Sequence, residues 1–311
     1  GNYTDTASKI QIRALLHTEN TNVTPSIRQF VISYKDNTPR LKSIEIPSDK
    51  IIDVPSYSQY IRDKNIGSVI CSPTSITMLL NRRNENLIVE ETAWSCFDYD
   101  YEAFGNWLFN VAFASSLGYE SFVEYGNLKS LKREIYSGYP VAVSVKYTND
   151  INNLEYPYIE NAPITTAGHI LVVRGFEKKD GIDYVVVNDP AGKSNESVTR
   201  RYKLSEFESA WHRGSNIMYI IHDKEVEINN NRIEASLELK NNKENLYSVL
   251  VNDTYLDLSS DFVKTILITY DNGLTFEYLV PYNNHYLALE NKNKCIIYII
   301  GSDGFTYVCN C

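Results

Sequence analysis

The stretch 68–83, SVICSPTSITMLLNRR, sets a cysteine, Cys71, after three mostly apolar residues and directly before Ser-Pro-Thr-Ser and a run that reads as a helix. Two readings of Cys71 compete: a packed structural thiol, or a nucleophile held at a helix start. A helix beginning here would aim its dipole and the free N–H groups of its first turn at the sulfur, which lowers a thiol pKa. Pro73 fits that first turn, where its missing N–H is not needed. The reading of Cys71 decides which fold the rest of the chain is measured against.

Upstream, residues 8–48 hold alternating runs such as KIQIRALLHT and SIRQFVISYK, split by ENTNVTPS, and read as two or three strands with Pro25 as a breaker. Downstream, the pattern from Leu79 through Gly118 is helical and aromatic-rich, and NLKSLKREIYSGYP reads as a further helix stopped by Gly138. PVAVSVKY, HILVVRGF and YVVVNDP are short apolar, β-branched runs bounded by turn residues, the pattern of buried strands of one sheet. SEFESAWHRG predicts a short helix with Ser205 as N-cap, and NIMYIIH the last strand of this part. From about Asp223 the chain alternates like antiparallel strands separated by Asn and Gly turns. The expected class is α+β. It divides into a β-rich N-terminal segment (1–50), a central domain (51–222) and a C-terminal β-sandwich-like module (223–311).

A net charge of -9, from 39 acidic and 30 basic side chains, argues against nucleic acid as a partner, because phosphate binding needs a concentrated basic face. No apolar run approaches the roughly 20 residues that cross a bilayer, so no transmembrane segment is expected in this chain. Five cysteines, with no Cys-x-x-Cys pair, suit neither a disulfide framework nor a zinc site. No metal-ligand cluster or phosphate-binding glycine loop is apparent, and no cofactor is expected.

A cysteine peptidase needs a thiolate, an adjacent imidazole, a group that orients the imidazole, and donors for the oxyanion. Candidates stand in order along the chain. His169 heads the apolar strand in TTAGHILVVRGF, and Asp189 lies at the exit of the next strand in YVVVNDPAG. A hairpin brings the start of one strand beside the end of the next, so the two can meet at one sheet edge. Gln59, in VPSYSQYIRD, offers an amide that joins the Cys71 N–H as oxyanion donor. Taken singly, each has an ordinary structural explanation: a core thiol, a satisfied donor, an Asp-Pro turn.

At these residues the chain resembles a known family. DVPSYSQY, CSPTSITMLL, GHILVVRGF and VVNDPAG are similar to the motifs of the papain-like, C39-like cysteine peptidases, which include the bacteriocin leader-processing, double-glycine-cutting enzymes. FGNWLFNVAFASSLGY, SGYPVAVSV and YKLSEFESAW resemble a secreted bacterial branch of them. The resemblance runs from about Ile52 to His222. It implies a papain-like domain with Cys71 as nucleophile, His169 as general base and acid, Asp189 as orienting residue and Gln59 as oxyanion donor. Two departures stand out: the common Cys-Gly appears as Cys71-Ser72, and the stretch from Gln59 to Cys71 is longer than in the leader-processing enzymes.

The expected activity is hydrolysis of a peptide bond in a peptide or protein substrate through a thioester, at an extracellular or cell-surface location. A cell-wall amidase or isopeptidase using the same residues, and an inactive peptidase-like binding module, are the alternatives. Asn106, Trp107 and Gly168 are candidates for lining a substrate groove, although a helix start packing Trp107 into the core explains that cluster equally well. Cys96 reads as packed, His212 and His222 as structural, and the 24 tyrosines as half-buried strand residues. Cys295 faces the region of Cys309 to Cys311 across a final hairpin, which permits a cross-strand disulfide in an oxidising setting.

Overall fold

The computed structural model describes residues 9, 11–22, 24–27, 29–34, 49–228, 231–290 and 294–311. Its first sheet is antiparallel throughout and comprises β1 (Lys50–Ile51), β2 (Tyr119–Tyr125), β3 (Val141–Tyr147), β4 (Thr166–Lys179), β5 (Ile182–Asn188), β6 (Thr199–Lys203) and β7 (Ile217–Lys224). The strand order is β2-β7-β3-β4-β5-β6, with β1 paired to β4. Five helices accompany it: α1 (Cys71–Asn81), α2 (Val89–Ser95), α3 (Trp107–Ser116), α4 (Leu128–Ser137) and α5 (Leu204–Arg213). The described residues are therefore α+β, the class expected from a helical stretch followed by runs of strands.

β3 is rich in apolar residues because Val141–Val145, Ser144 among them, are all buried and both α1 and α5 pack on this strand. α4 is capped by Asn127, whose side chain accepts from the N–H groups of Lys129 and Ser130, and it stops at Gly138, which adopts φ 98°. An L side chain rarely takes that conformation, which is why glycine ends the helix. The expected cap of α5 is corrected: Ser205 lies inside the helix, because β6 runs directly into α5 and Lys203 takes the cap position.

The C-terminal strands form a second sheet: β8 (Arg232–Asn241), β9 (Leu246–Val251), β10 (Thr254–Tyr255), β11 (Val263–Thr269), β12 (Glu277–Tyr278), β13 (Leu287–Ala288), β14 (Ile296–Gly301) and β15 (Thr306–Asn310). It is mixed rather than purely antiparallel, since its last strand, β15, lies parallel to its first, β8. Strands from both halves of the sheet share one core, with Val249, Ile266, Ile268, Leu287, Ile297 and Ile299 at its centre. A smaller apolar cluster joins α2 to the second sheet: Ile88, just before the helix, packs with Leu267 and Ile300, and Trp94 closes over it. Beside it, Arg232 pairs with Glu91 at 2.9 Å.

Pairing of β14 with β15 sets Ile296 opposite Asn310 and Ile297 opposite Cys309. Cys295 therefore meets Cys311, to which it is disulfide-bonded at a Cα separation of 5.0 Å. Cys309 remains a free, buried thiol, pushed up to about 12 by burial.

The expected strands within 8–48 are corrected in part. None of the described residues between 9 and 34 is in a strand, and Leu15 is 83% exposed, so the alternating apolar side chains there cover no core. Residues 35–48 lie outside the described residues.

His222, on β7, joins three elements: Nδ1 meets Glu120 of β2 at 2.9 Å and Nε2 meets Glu134 of α4 at 2.9 Å. The Glu134 hydrogen bond, opposed by burial and reinforced by Glu120, raises the imidazole to about 9. An unfolded histidine titrates near about 6.5, so the stabilisation is complete below that pH and disappears as pH rises through about 9. The stability gap between wild type and His222→Gln, read from denaturant midpoints across this range, is expected to narrow with rising pH; a constant gap would contradict the assignment.

Candidate active site

Cys71 is the first residue of α1. The first helical hydrogen bond runs from Thr74 N to Ile70 O at 3.0 Å, so the N–H groups of Cys71 and Ser72 precede any helical acceptor. The expected helix is buried on all sides from Ser72 to Leu80. Its hydroxyls are satisfied internally: Thr74 and Thr77 donate to the carbonyls of Ile70 and Pro73, Ser75 to that of Ile170 on β4, and Ser72 pairs with the Tyr219 hydroxyl at 3.0 Å. This is how so polar a segment can lie in a core, and it presses the sulfur end of α1 against β4.

β4 and β5 pair antiparallel with Val172 opposite Asn188, so Asp189 emerges from β5 beside the first residues of β4. There His169 Nε2 meets Asp189 Oδ1 at 2.7 Å, with both side chains almost fully buried. Cys71 lies beside the imidazole, within its hydrogen-bonding reach. Burial alone would raise the thiol, but the His169 charge and hydrogen bond and the Ile170 N–H outweigh it and hold Cys71 below the ordinary thiol range. Burial opposes the imidazolium too, and the charges of Asp189 and Cys71 overcome it and raise His169. Asp189 is likewise held low, against burial, by His169 and by hydrogen bonds.

Two residues absent from the sequence reading complete this arrangement. The hydroxyls of Tyr147, at the end of β3, and Tyr202, on β6, each donate to Asp189 Oδ2 at 2.8 Å, and the Ala191 N–H donates to Oδ1 at 3.0 Å. Among 24 tyrosines neither carries a sequence signal; the three-strand register that brings them together is visible only in the sheet.

Gln59 is buried and tied to the same region, its N–H donating to Pro190 O at 2.9 Å. Its side-chain Nε2 donates to Gly67 O at 2.9 Å, across the loop that leads into Cys71, which leaves the second hydrogen of that amide free. A Cβ at Gly67 would sit 2.8 Å from Gln59 O and 3.1 Å from Asp63 O, so only glycine closes this loop without displacing backbone.

The three groove candidates are placed differently. Gly168 adjoins His169 on β4 and is exposed. Asn106 caps α3, accepting from Leu108 N at 3.1 Å and donating to Asp98 at 2.6 Å, so its polar atoms serve the helix start. Trp107 is 37% exposed and follows it, instead of packing into the core. Cys96 is fully buried with no basic partner, and burial alone drives its thiol far up. An open cleft of about 840 Å³, lined by residues such as Asp53, Arg82, Tyr139 and Asp223, lies at the far end of α1, away from the sulfur.

Comparison with known proteins gives a family and a set of distant folds. A family model described as the peptidase C39 like family matches residues 51–218, more than half of the chain. Among solved structures, a double glycine motif protease from an AMS/PCAT transporter, in complex with the leader peptide, is 19% identical, with 55% of this chain and 93% of that chain covered and a TM-score of 0.38. A Bacillus anthracis protein described as C39-like is 17% identical, with 58% and 100% covered and a TM-score of 0.42. A digestive procathepsin L of Tenebrio molitor larval midgut is 13% identical, with 60% and 73% covered and a TM-score of 0.41. No curated protein matches.

Iodoacetamide alkylation, followed residue by residue with peptide mass spectrometry, reads the thiolate directly. Cys71 is expected to react fast well below about pH 8.5, the ordinary thiol pKa, while Cys96 stays slow. His169→Ala should return Cys71 to an ordinary thiol profile, and an unchanged profile in that variant would remove the imidazolium pairing.

Proposed function

The chain belongs to the peptidase C39 like family, and on that premise we propose that it hydrolyses peptide bonds with Cys71, His169 and Asp189 acting together and Gln59 assisting. The observation that carries the reading is the position of His169, bonded through Nε2 to a buried carboxylate at 2.7 Å and set beside a thiol at a helix start.

In the proposed reaction, the Cys71 thiolate adds to the carbonyl carbon of the scissile amide, and the carbonyl electrons move to oxygen. The Cys71 N–H and the Gln59 amide receive that oxyanion. As the C–N bond breaks, His169 transfers its proton to the departing amine, leaving a thioester on Cys71. Water then attacks the thioester carbonyl while His169 takes its proton. Collapse expels the thiolate and frees the carboxylic acid, restoring the starting ion pair. Asp189 keeps the imidazole in one tautomer and stabilises its cation throughout.

The Cys295–Cys311 disulfide supports a working place outside a reducing compartment. The substrate class proposed is a peptide or protein; a cell-wall cross-link is the alternative amide for the same residues. A mixed synthetic peptide library, with new termini read by mass spectrometry, tests the reaction beside a suspension of purified cell walls. Cys71→Ala is expected to abolish cleavage with thermal unfolding unchanged. Unimpaired cleavage in that variant would overturn the reading, and turbidity loss from walls without cleavage of the library would move the substrate to the cell wall.

A further inference from the structure

The 59–70 loop is held from outside its own domain. Its hub is Asp63, which is buried. The Asp63 carbonyl receives the N–H groups of Ile66 at 3.0 Å and Gly67 at 2.7 Å, and its Oδ1 receives the Asn65 N–H at 2.9 Å, so one residue shapes the turn. Gly67, shaped in this way, presents the carbonyl that holds the Gln59 side chain at 2.9 Å.

The C-terminal sheet reaches Asp63 directly through one contact and by way of Glu90 through another. Thr265 of β11 donates its hydroxyl to Asp63 Oδ2 at 3.0 Å. The indole of Trp94 donates to the same hydroxyl at 3.1 Å, which orients the Thr265 proton towards the carboxylate. On the other side, the Asp63 N–H donates to Glu90 Oε1 at 3.0 Å, and Tyr278 of β12 donates to that same oxygen at 2.6 Å. Glu90 is fully buried, and its second oxygen has no partner among the described residues, so the Tyr278 hydroxyl is one of the few groups that hold this carboxylate in place.

We propose that the C-terminal sheet is part of the catalytic apparatus, with Thr265 and Tyr278 as positioning residues that act through Asp63 and Gly67 on Gln59. The inference rests on the assignment of Gln59 as oxyanion donor and Cys71 as nucleophile. It predicts a specific division. Reactions of Cys71 that build charge on a carbonyl oxygen need the loop in place. Displacement at a saturated carbon needs only the thiolate and its imidazolium.

Two small probes separate these without knowledge of the natural substrate. p-Nitrophenyl acetate acylates the thiolate: the sulfur adds to the ester carbonyl, an oxyanion forms, p-nitrophenolate leaves and Cys71 carries an acetyl thioester. Iodoacetamide alkylates the same sulfur with loss of iodide and no oxyanion. The Cys71-dependent rate of each is the difference from Cys71→Ala.

In Thr265→Val and Tyr278→Phe the acylation rate is expected to fall about tenfold, a fraction of the hundredfold or more that loss of a whole oxyanion donor costs. The alkylation rate and its pH profile should hold within about twofold under the same conditions. Thr265→Ser, which keeps the hydroxyl, should restore acylation. Acylation unchanged in both variants would overturn the proposal. A parallel fall in both reactions would also overturn it, since that marks general loosening. Acylation by wild type no faster than by Cys71→Ala would instead remove the catalytic reading beneath it.

Discussion

A carboxylate with no access to water sets the terms for the rest of this molecule. Asp189 accepts from His169, Tyr147, Tyr202 and the Ala191 N–H, and these donors come from three strands and the turn that follows β5. A buried charge is tolerable only when so fully bonded; removing one partner from a buried pair typically costs about 3–5 kcal/mol. The register of β3, β4, β5 and β6 is thus coupled to the ionisation of one side chain. Three of these bonds hold Asp189 in place, and the fourth orients the imidazole beside Cys71.

The helix that brings the sulfur to this point is unusual in composition for a buried element. Every position from Ser72 to Leu80 is enclosed, and four of them are hydroxyl residues. Three donate to backbone carbonyls, one of which belongs to Ile170 on β4, and Ser72 pairs with Tyr219. The polar groups therefore act as ties between α1 and the sheet instead of as penalties. Because the axis of α1 cannot shift without breaking them, the N–H groups of its first turn keep their aim.

Where the C-terminal sheet meets the rest of the chain, α2 carries several polar connections. Glu90, Glu91 and Trp94 face Tyr278, Arg232 and Thr265 respectively, while Ile88, just before the helix, supplies the apolar contact. A short helix of seven residues with two consecutive buried glutamates would be a poor independent element. It is held here because the C-terminal sheet and the 59–70 loop supply donors to its glutamates. The interface lies next to the loop between Gln59 and Cys71.

The sequence by itself determined most of the elements and the order of the candidate site residues along the chain. Cys71 before a helical run, His169 at the head of a strand and Asp189 at the exit of the next are local facts, and local patterning decides where helices and strands begin. Gly138 as a stop signal is of the same kind. Only the tertiary structure decided which groups complete the site and which do not. Tyr147 and Tyr202 meet Asp189 because of strand register, Asp63 meets Thr265 across 202 positions of sequence, and Cys295 finds Cys311 rather than Cys309 because of how β14 and β15 pair. Ser205 loses its expected cap role because β6 leaves no loop before α5. The alternation in the described part of 9–34 likewise promised strands that do not form, since a strand needs a pairing partner as well as a pattern. Hydrogen bonds between distant residues depend on where separate elements are brought to rest, and a periodicity read along one chain carries no record of that.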